Sequence, residues 1–179
     1  MDFFLEGIQN QLNNKLTPNF LGVVMESCIF CLNSQNHTSG AELIPFDHIK
    51  NIFREKSRII WNTEISSDFF KTYKDEKRTT DWGAMCIALM LVPQTTEYND
   101  FEVSATNNGF DFWLANDGDE LDFSARLEIS GIRKENEGNT IKSRISQKLK
   151  QTDKSDNLGL QAYIAIIEFG KPQVALIKK

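Results

Sequence analysis

Residues 109–132 alternate between apolar and polar side chains on both sides of a turn-forming centre. The apolar positions that would share one side are Phe110, Phe112, Leu114, Leu121, Phe123, Ala125, Leu127 and Ile129. Such alternation is typical of half-buried strands, and residues 116–118 have the composition of a turn. The segment therefore predicts a β-hairpin with one buried face, which the rest of the chain must cover.

The other face of this predicted hairpin carries Asp111, Arg126, Glu128 and Ser130. A turn centred on residues 119–120 would set Asp111 against Glu128. A tighter turn at residues 117–118 would separate these two acids by about 13 Å. Two carboxylates that lie close together repel unless a cation stands between them, and Mg²⁺ suits such sparse oxygen sites. The alternative is an exposed face whose acids pair with Arg126.

The composition favours one globular domain spanning residues 1–179, with 40% hydrophobic and 25% charged residues. A net charge of −5 and a pI near 5.1 argue against a protein that coats nucleic acid or anionic lipid non-specifically. The three cysteines have no disulfide-like spacing, and the N-terminal residues do not resemble a secretory signal. We therefore expect a cytoplasmic protein without a membrane segment.

The N-terminal part of the chain contains helical and strand-like patterns. Apolar spacing predicts an amphipathic helix over residues 2–15. Residues 21–32 are dense in β-forming side chains, so we expect them to form a hairpin with residues 41–46. Residues 47–61 suit either a short helix or a strand, and residues 64–78 predict a helix opened by Asn62 or Thr63.

A second helix is predicted from a cap at residues 79–81 to Pro93, and it is apolar on nearly all sides, so we expect it to be buried. Further strands are predicted over residues 98–105, 160–169 and 173–177. Residues 139–152 predict a helix with an apolar stripe. The expected fold class is mixed α/β, with a central mixed sheet flanked by helices.

The order of elements from residue 79 onward resembles the restriction-endonuclease-like PD-(D/E)XK fold. Its motif residues would fall on Asp111 and on Glu128-Ile129-Ser130. The resemblance covers residues 79–178, which would form a nuclease-like core behind an N-terminal extension of residues 1–78. It implies that Asp111 and Glu128 hold Mg²⁺. An acid of the preceding helix, Asp81 or less naturally Glu64, would be a third ligand.

The chain departs from this family at Ser130, where the family has its catalytic lysine. A serine hydroxyl cannot supply the positive charge that the lysine gives to the attacking water or the phosphate. Arg126 on the same face, or Lys142 or Lys148 from the following helix, would be a substitute. The alternative is an inactive site.

A basic segment follows the hairpin. From Arg133 to Lys154 there are seven lysines or arginines and three acids, so the local charge is 7 − 3 = +4. We expect its helix to expose a cationic ridge whose Lys142, Arg144 and Lys148 would bind nucleic-acid phosphates. The alternative is an ordinary solvated helix face.

Cysteines and histidines offer little further chemistry. If residues 21–32 form a strand, the sulfurs of Cys28 and Cys31 lie on opposite faces, which argues against zinc binding or thiol chemistry. His37 and His48 lie in polar, turn-like contexts.

Two classes of function therefore remain open. The first is a Mg²⁺-dependent nuclease, or an inactive relative that still binds nucleic acid. The second is a non-enzymatic module that binds another protein in a defence or regulatory system. The string ARLEISGI also resembles small bacterial proteins with no assigned activity, and that resemblance implies none here.

Overall fold

The computed structural model describes residues 2–116 and 123–179. Its strands are β1 (Asp2–Phe4), β2 (Ala41–Pro45), β3 (Ser57–Ile60), β4 (Asp100–Val103), β5 (Phe112–Ala115), β6 (Ala125–Ile132), β7 (Gln161–Glu168) and β8 (Gln173–Lys178). Its α-helices are α1 (Ile8–Gln11), α2 (Pro18–Ser34), α3 (Ser67–Thr72), α4 (Glu76–Thr95) and α5 (Ile141–Thr152). Short 3₁₀ helices span Leu5–Gly7 and Asp153–Leu158.

In the described part of the chain, eight strands form a sheet in the order β1-β3-β2-β8-β7-β6-β5-β4. Strands β4, β5 and β6 are antiparallel neighbours, β6 and β7 run parallel, and β8 returns antiparallel to β7. This arrangement confirms the predicted mixed α/β class with a central mixed sheet.

Helices cover both faces of the sheet. The alternating residues Tyr163, Ala165 and Ile167 of β7 join the core formed with α2 and α4. Ile164 and Ile166 point to the other face, where the apolar stripe of α5 packs on them. Because both faces of the central strands are buried, they carry apolar side chains at successive positions.

Helix α4 is buried along most of its length, as its apolar composition predicts. It lies very close to β6 at Gly131, where a Cβ atom would come within 2.4 Å of the Thr80 carbonyl oxygen. Only glycine permits this approach. The close contact holds the N-terminal turns of α4 over the middle of the sheet.

The predicted hairpin over residues 21–32 and 41–46 is wrong. Residues 21–32 belong to helix α2, whose first turn is set by Thr17, which accepts a hydrogen bond from Phe20 N, and by Pro18 at the first helical position. The prediction weighed β-forming composition above helical spacing. Strand β2 instead pairs with β3 and β8.

Because α2 is a helix, the strand-based argument about Cys28 and Cys31 is also wrong. Residues three apart on a helix share a face, and both thiols are buried. Burial raises the pKa of Cys31 to about 12, and it also raises the pKa of Cys28. These thiols are therefore protonated packing groups.

The boundaries of three predicted helices also differ from the structure. Residues 2–4 form strand β1 beside β3 instead of the start of a helix. The predicted helix over residues 64–78 is only α3, and α4 already begins at Glu76 with Asp75 as its cap. Pro93 lies inside the last turn of α4 and does not end it.

The C-terminal predictions are confirmed. Helix α5 begins after Thr140, whose side chain accepts from Ser143 N in a capping box. Strands β7 and β8 lie where the sequence predicts them. None of the helices in the described residues is long and apolar enough to cross a membrane.

Candidate functional site

The site is built on the pairing of β5 with β6. Asp111 directly precedes β5 and Glu128 lies on β6, where Leu127 pairs with Phe112 and Arg126 pairs with Trp113. This is the register of the wider predicted turn, although the turn itself (residues 117–122) lies outside the described residues. Both acids line one cleft.

Asp111 is anchored by the backbone of β6. Its N–H donates to Leu127 O over 2.9 Å, and its Oδ2 accepts from Ile129 N over 2.7 Å. Burial raises the pKa of Asp111, and the charge of Asp81 raises it further, while the Ile129 N–H and Lys148 act in the opposite direction. The carboxylate is thus oriented by the strand beside it and desolvated.

The predicted hairpin face around Glu128 is buried, so the alternative of an exposed, solvated face is wrong. Glu128 is only 2% exposed, and its Oε1 accepts from Lys148 Nζ and, over 2.9 Å, from Gln151 Nε2. Burial and the charge of Asp111 together raise the pKa of Glu128 to about 7, despite the neighbouring ammonium of Lys148. Glu128 therefore changes charge near neutral pH.

Asp81 adds a third carboxylate from the second turn of α4. Its Oδ1 accepts from Gly131 N over 3.5 Å, in the place where glycine allows α4 to approach β6. Burial raises the pKa of Asp81, and Lys148 partly offsets this effect. Asp81, Asp111 and Glu128 thus form a chain of acids around one lysine.

The basic residues of α5 do not all face solvent, so the predicted cationic ridge is wrong for two of them. Lys142 is exposed, but Arg144 and Lys148 are half-buried. Arg144 donates to Ser130 Oγ over 3.3 Å and to Asn139 Oδ1 over 2.6 Å. Because residues four apart lie on one helical face, these two cations are turned toward the sheet together.

Arg126 lies apart from the acids although it shares their face of β6. Its guanidinium donates to Thr152 O over 3.1 Å and also to Ser155 Oγ and Asp156. It is 2% exposed, and its Nε has no hydrogen-bond partner among the described residues. The alternative in which Arg126 neutralises Asp111 and Glu128 is therefore wrong.

Two clefts meet at the acids, since Met85 and Asp111 line both. The larger, of about 1010 Å³, is lined by nine charged side chains, five cations and four acids: Lys77, Arg133, Lys134, Arg144 and Lys148, and Glu76, Asp81, Asp111 and Glu135. The smaller, of about 590 Å³, has aromatic walls. We call them the cationic cleft and the aromatic cleft.

Sequence reasoning missed Gln151 and Trp82. Gln151 has a detectable signal, because positions 144, 148 and 151 follow helical spacing on one side of α5. Trp82 adjoins Asp81 on α4, but nothing in the sequence indicates that its ring lines a cleft. Glu64, the other candidate for a helix acid, lies before α3 in a separate cleft near His37.

Within residues 2–116 and 123–179, no group of three or more His, Cys, Asp or Glu side chains is arranged to hold a metal ion. In the same residues, Asp111 Oδ1 and Glu128 Oε2 accept no hydrogen bond. The pair therefore offers two carboxylate oxygens that remain open to a ligand. No family model, curated protein or solved structure matches the chain.

Proposed function

We propose that the chain is a Mg²⁺-dependent nuclease with a restriction-endonuclease-like core. The observation that carries this proposal is the pair of interacting carboxylates Asp111 and Glu128, which line one cleft, with Lys148 bonded to Glu128. The element order α4, β4, β5, β6, α5, β7 supports it, since the aspartate precedes the second strand of this series and the glutamate lies on the third.

Lys148 supplies the positive charge that Ser130 cannot. Its ammonium comes from α5 instead of from the strand that carries Glu128, yet it reaches the same carboxylate. Arg144 adds a guanidinium at Ser130 itself, and this planar group suits a phosphate. Together they would bind the phosphate oxygens of a substrate that enters the cationic cleft.

The donor set fits a hard cation, because Mg²⁺ is commonly held by one or two carboxylates together with water and substrate phosphate. Asp111 and Glu128 would hold it; Asp81 interacts electrostatically with Asp111, but among the described residues the three acids are not arranged as one metal-binding group. When bound, Mg²⁺ polarises a phosphoryl oxygen and lowers the pKa of a water molecule.

Glu128 links this proposed activity to pH. Its pKa of about 7 means that it is largely protonated in mildly acidic solution. A protonated carboxyl is a poor ligand for a cation, so both cation binding and cleavage should rise as the pH increases through 7. An ionised Glu128 also strengthens the ion pair that positions Lys148.

The direct test is cleavage of labelled DNA and RNA, single-stranded and duplex, in Mg²⁺ or Mn²⁺ and in EDTA. We expect metal-dependent cleavage that Asp111→Asn reduces at least about a hundredfold. The melting temperature of the Asp111→Asn variant should be unchanged or higher, because the substitution removes a carboxylate that is repelled by Asp81 and Glu128. Lys148→Met should be similarly inactive and Lys148→Arg partly active. The control is Lys71→Met, at an exposed lysine of α3.

Nucleic-acid binding distinguishes this proposal from a protein-interaction module, which the net charge of −5 favours. Binding through Lys142, Arg144 and Lys148 to duplex DNA would fall with salt at a log–log slope of about −3. Replacing all three by glutamine should flatten the slope. If neither DNA nor RNA binds at about 50 mM salt, the nuclease proposal fails and the interaction module remains.

A further inference from the structure

The aromatic cleft adjoins the acids directly, because Asp111 and Glu128 both line it. Helix α4 contributes Trp82 and Met85, and α2 contributes Phe20. These three side chains are half-buried and pack against the main core. Each therefore has a fixed position and still presents part of its surface to the cleft.

The chemistry of the aromatic cleft differs from that of the cationic cleft. Lys154 is the one cationic side chain among its described lining residues, so it lacks the phosphate-binding character of its neighbour. Residues 104–107 and Gly109 bring hydroxyl, amide and backbone groups to the same cleft. Asn108 Nδ2 donates to Ser104 Oγ over 2.9 Å and ties this loop together. Apolar walls with a few polar groups are typical of small-ligand pockets, and about 590 Å³ is within their usual size.

A nucleic-acid strand presents these two chemistries side by side, since each phosphate is joined through a sugar to a flat, apolar-faced base with polar edges. A phosphate at the acids, held from the cationic cleft, would bring a neighbouring base to the aromatic cleft. Trp82 lines the aromatic cleft, and the Arg78 guanidinium lies over its ring, 5.7 Å from the ring centroid. Aromatic and guanidinium groups are the usual partners for stacked bases.

We propose that the aromatic cleft binds one unpaired nucleobase of the strand whose phosphate lies at Asp111 and Glu128. This inference rests on the proposed nuclease function and specifies its substrate as single-stranded nucleic acid. A base inside a duplex has its faces covered by its neighbours, so it cannot stack on Trp82 without leaving the helix. Stacking also supplies affinity that an acidic protein obtains poorly from phosphates alone.

Binding is measured in EDTA, where cleavage is suppressed, by fluorescence anisotropy of a labelled single-stranded DNA oligomer and of the same strand in a duplex. We expect the single strand to bind more tightly. Trp82→Ala should weaken its binding about tenfold and leave the duplex nearly unaffected. Trp82→Phe should retain most of the affinity. The control Phe70→Ala alters an exposed aromatic ring that lines a separate cleft.

A second measurement changes the ligand instead of the protein, so it does not depend on how Trp82→Ala folds. One abasic nucleotide is moved along the oligomer, and we expect a single position to weaken binding to wild-type protein about tenfold. Trp82→Phe should show the same position dependence. Equal affinity for every abasic oligomer, or equal effects of Trp82→Ala on single strand and duplex, overturns the inference.

These outcomes separate the inference from the function on which it rests. Cleavage that depends on Asp111 but not on Trp82, with no abasic-sensitive position, would refute the nucleobase cleft and keep the nuclease. Abasic-sensitive binding without metal-dependent cleavage would support the cleft and refute the nuclease. If duplex binds but no single-stranded nucleic acid does, the nucleobase cleft fails and the nuclease stands; if neither binds, both fail.

Discussion

Glu128 provides the sharpest physical prediction, because its protonation should be visible in the stability of the protein without any ligand. In the folded chain its pKa is raised to about 7 from an ordinary 4.5 by burial and by the charge of Asp111. A carboxyl whose pKa rises on folding favours the folded state while it is protonated. Its contribution is fully present below about pH 4.5 and is lost as the pH rises through 7.

The size of this effect follows from the two pKa values. The difference between 4.5 and about 7 is about 2.5 pH units, and each unit corresponds to about 1.4 kcal/mol. The free energy of unfolding should therefore fall by roughly 3 kcal/mol between about pH 4.5 and pH 8 because of Glu128. Asp81 and Asp111 should also lower the free energy of unfolding as the pH rises, since burial raises their pKa values too.

The assay is urea denaturation at several pH values between about 5 and 8, on wild-type protein and on Glu128→Gln. This window lies above the range in which carboxylates with lowered pKa values, such as Glu6 and Asp156, lose their contributions. The difference between the two proteins in the free energy of unfolding, taken at each pH, isolates the contribution of Glu128. The size of this difference should grow as the pH rises. The control Glu102→Gln alters an exposed carboxylate of β4. Parallel curves for wild type and Glu128→Gln would refute the raised pKa.

Three further predictions test how the site is held in place. Gly131→Ala should lower the free energy of unfolding by about 1–3 kcal/mol, measured by urea denaturation, because its Cβ would meet the Thr80 carbonyl at 2.4 Å. Thr140→Ala should cost about 1 kcal/mol in the same assay by removing the cap of α5. Arg126→Met should leave the free energy of unfolding nearly unchanged, because methionine fills the buried space without needing a partner such as Asp156. Arg126→Ala should lower it by about 3 kcal/mol, because alanine leaves that space empty. A strongly destabilised Arg126→Met would show that the ion pair itself is needed.

The face shared by Asp111 and Glu128 could be predicted because the information is local. Alternation assigns both acids to one side, but the sequence left two turn positions open, and the register of a turn centred on residues 119–120 is seen only in the structure. Helix α5 could be predicted equally well from the sequence, since Thr140 caps it and Ile141 and Ile145 follow helical spacing. In each case neighbouring residues alone carry the signal.

Local composition was misleading where tertiary packing selects the conformation. Residues 21–32 contain enough β-forming side chains to favour a strand, but they form α2, which packs along the buried helix α4. Intrinsic propensities differ by less than about 1 kcal/mol per residue, so a shared core outweighs them. Pro93 was also misleading, since it lies in the last turn of α4 and helical hydrogen bonding continues past it, with Thr96 N donating to Val92 O.

The sequence by itself determined which side chains share a face of β6, because the period of a strand is a local property. It did not determine what covers that face. The packing of Ile141 and Ile145 on Ile164 and Ile166 sets α5 over the sheet, and this packing brings Lys148 to Glu128. Residues twenty positions apart in the chain meet only when two elements dock, so the buried ion pair, the raised pKa of Glu128 and the two clefts are properties of the tertiary structure.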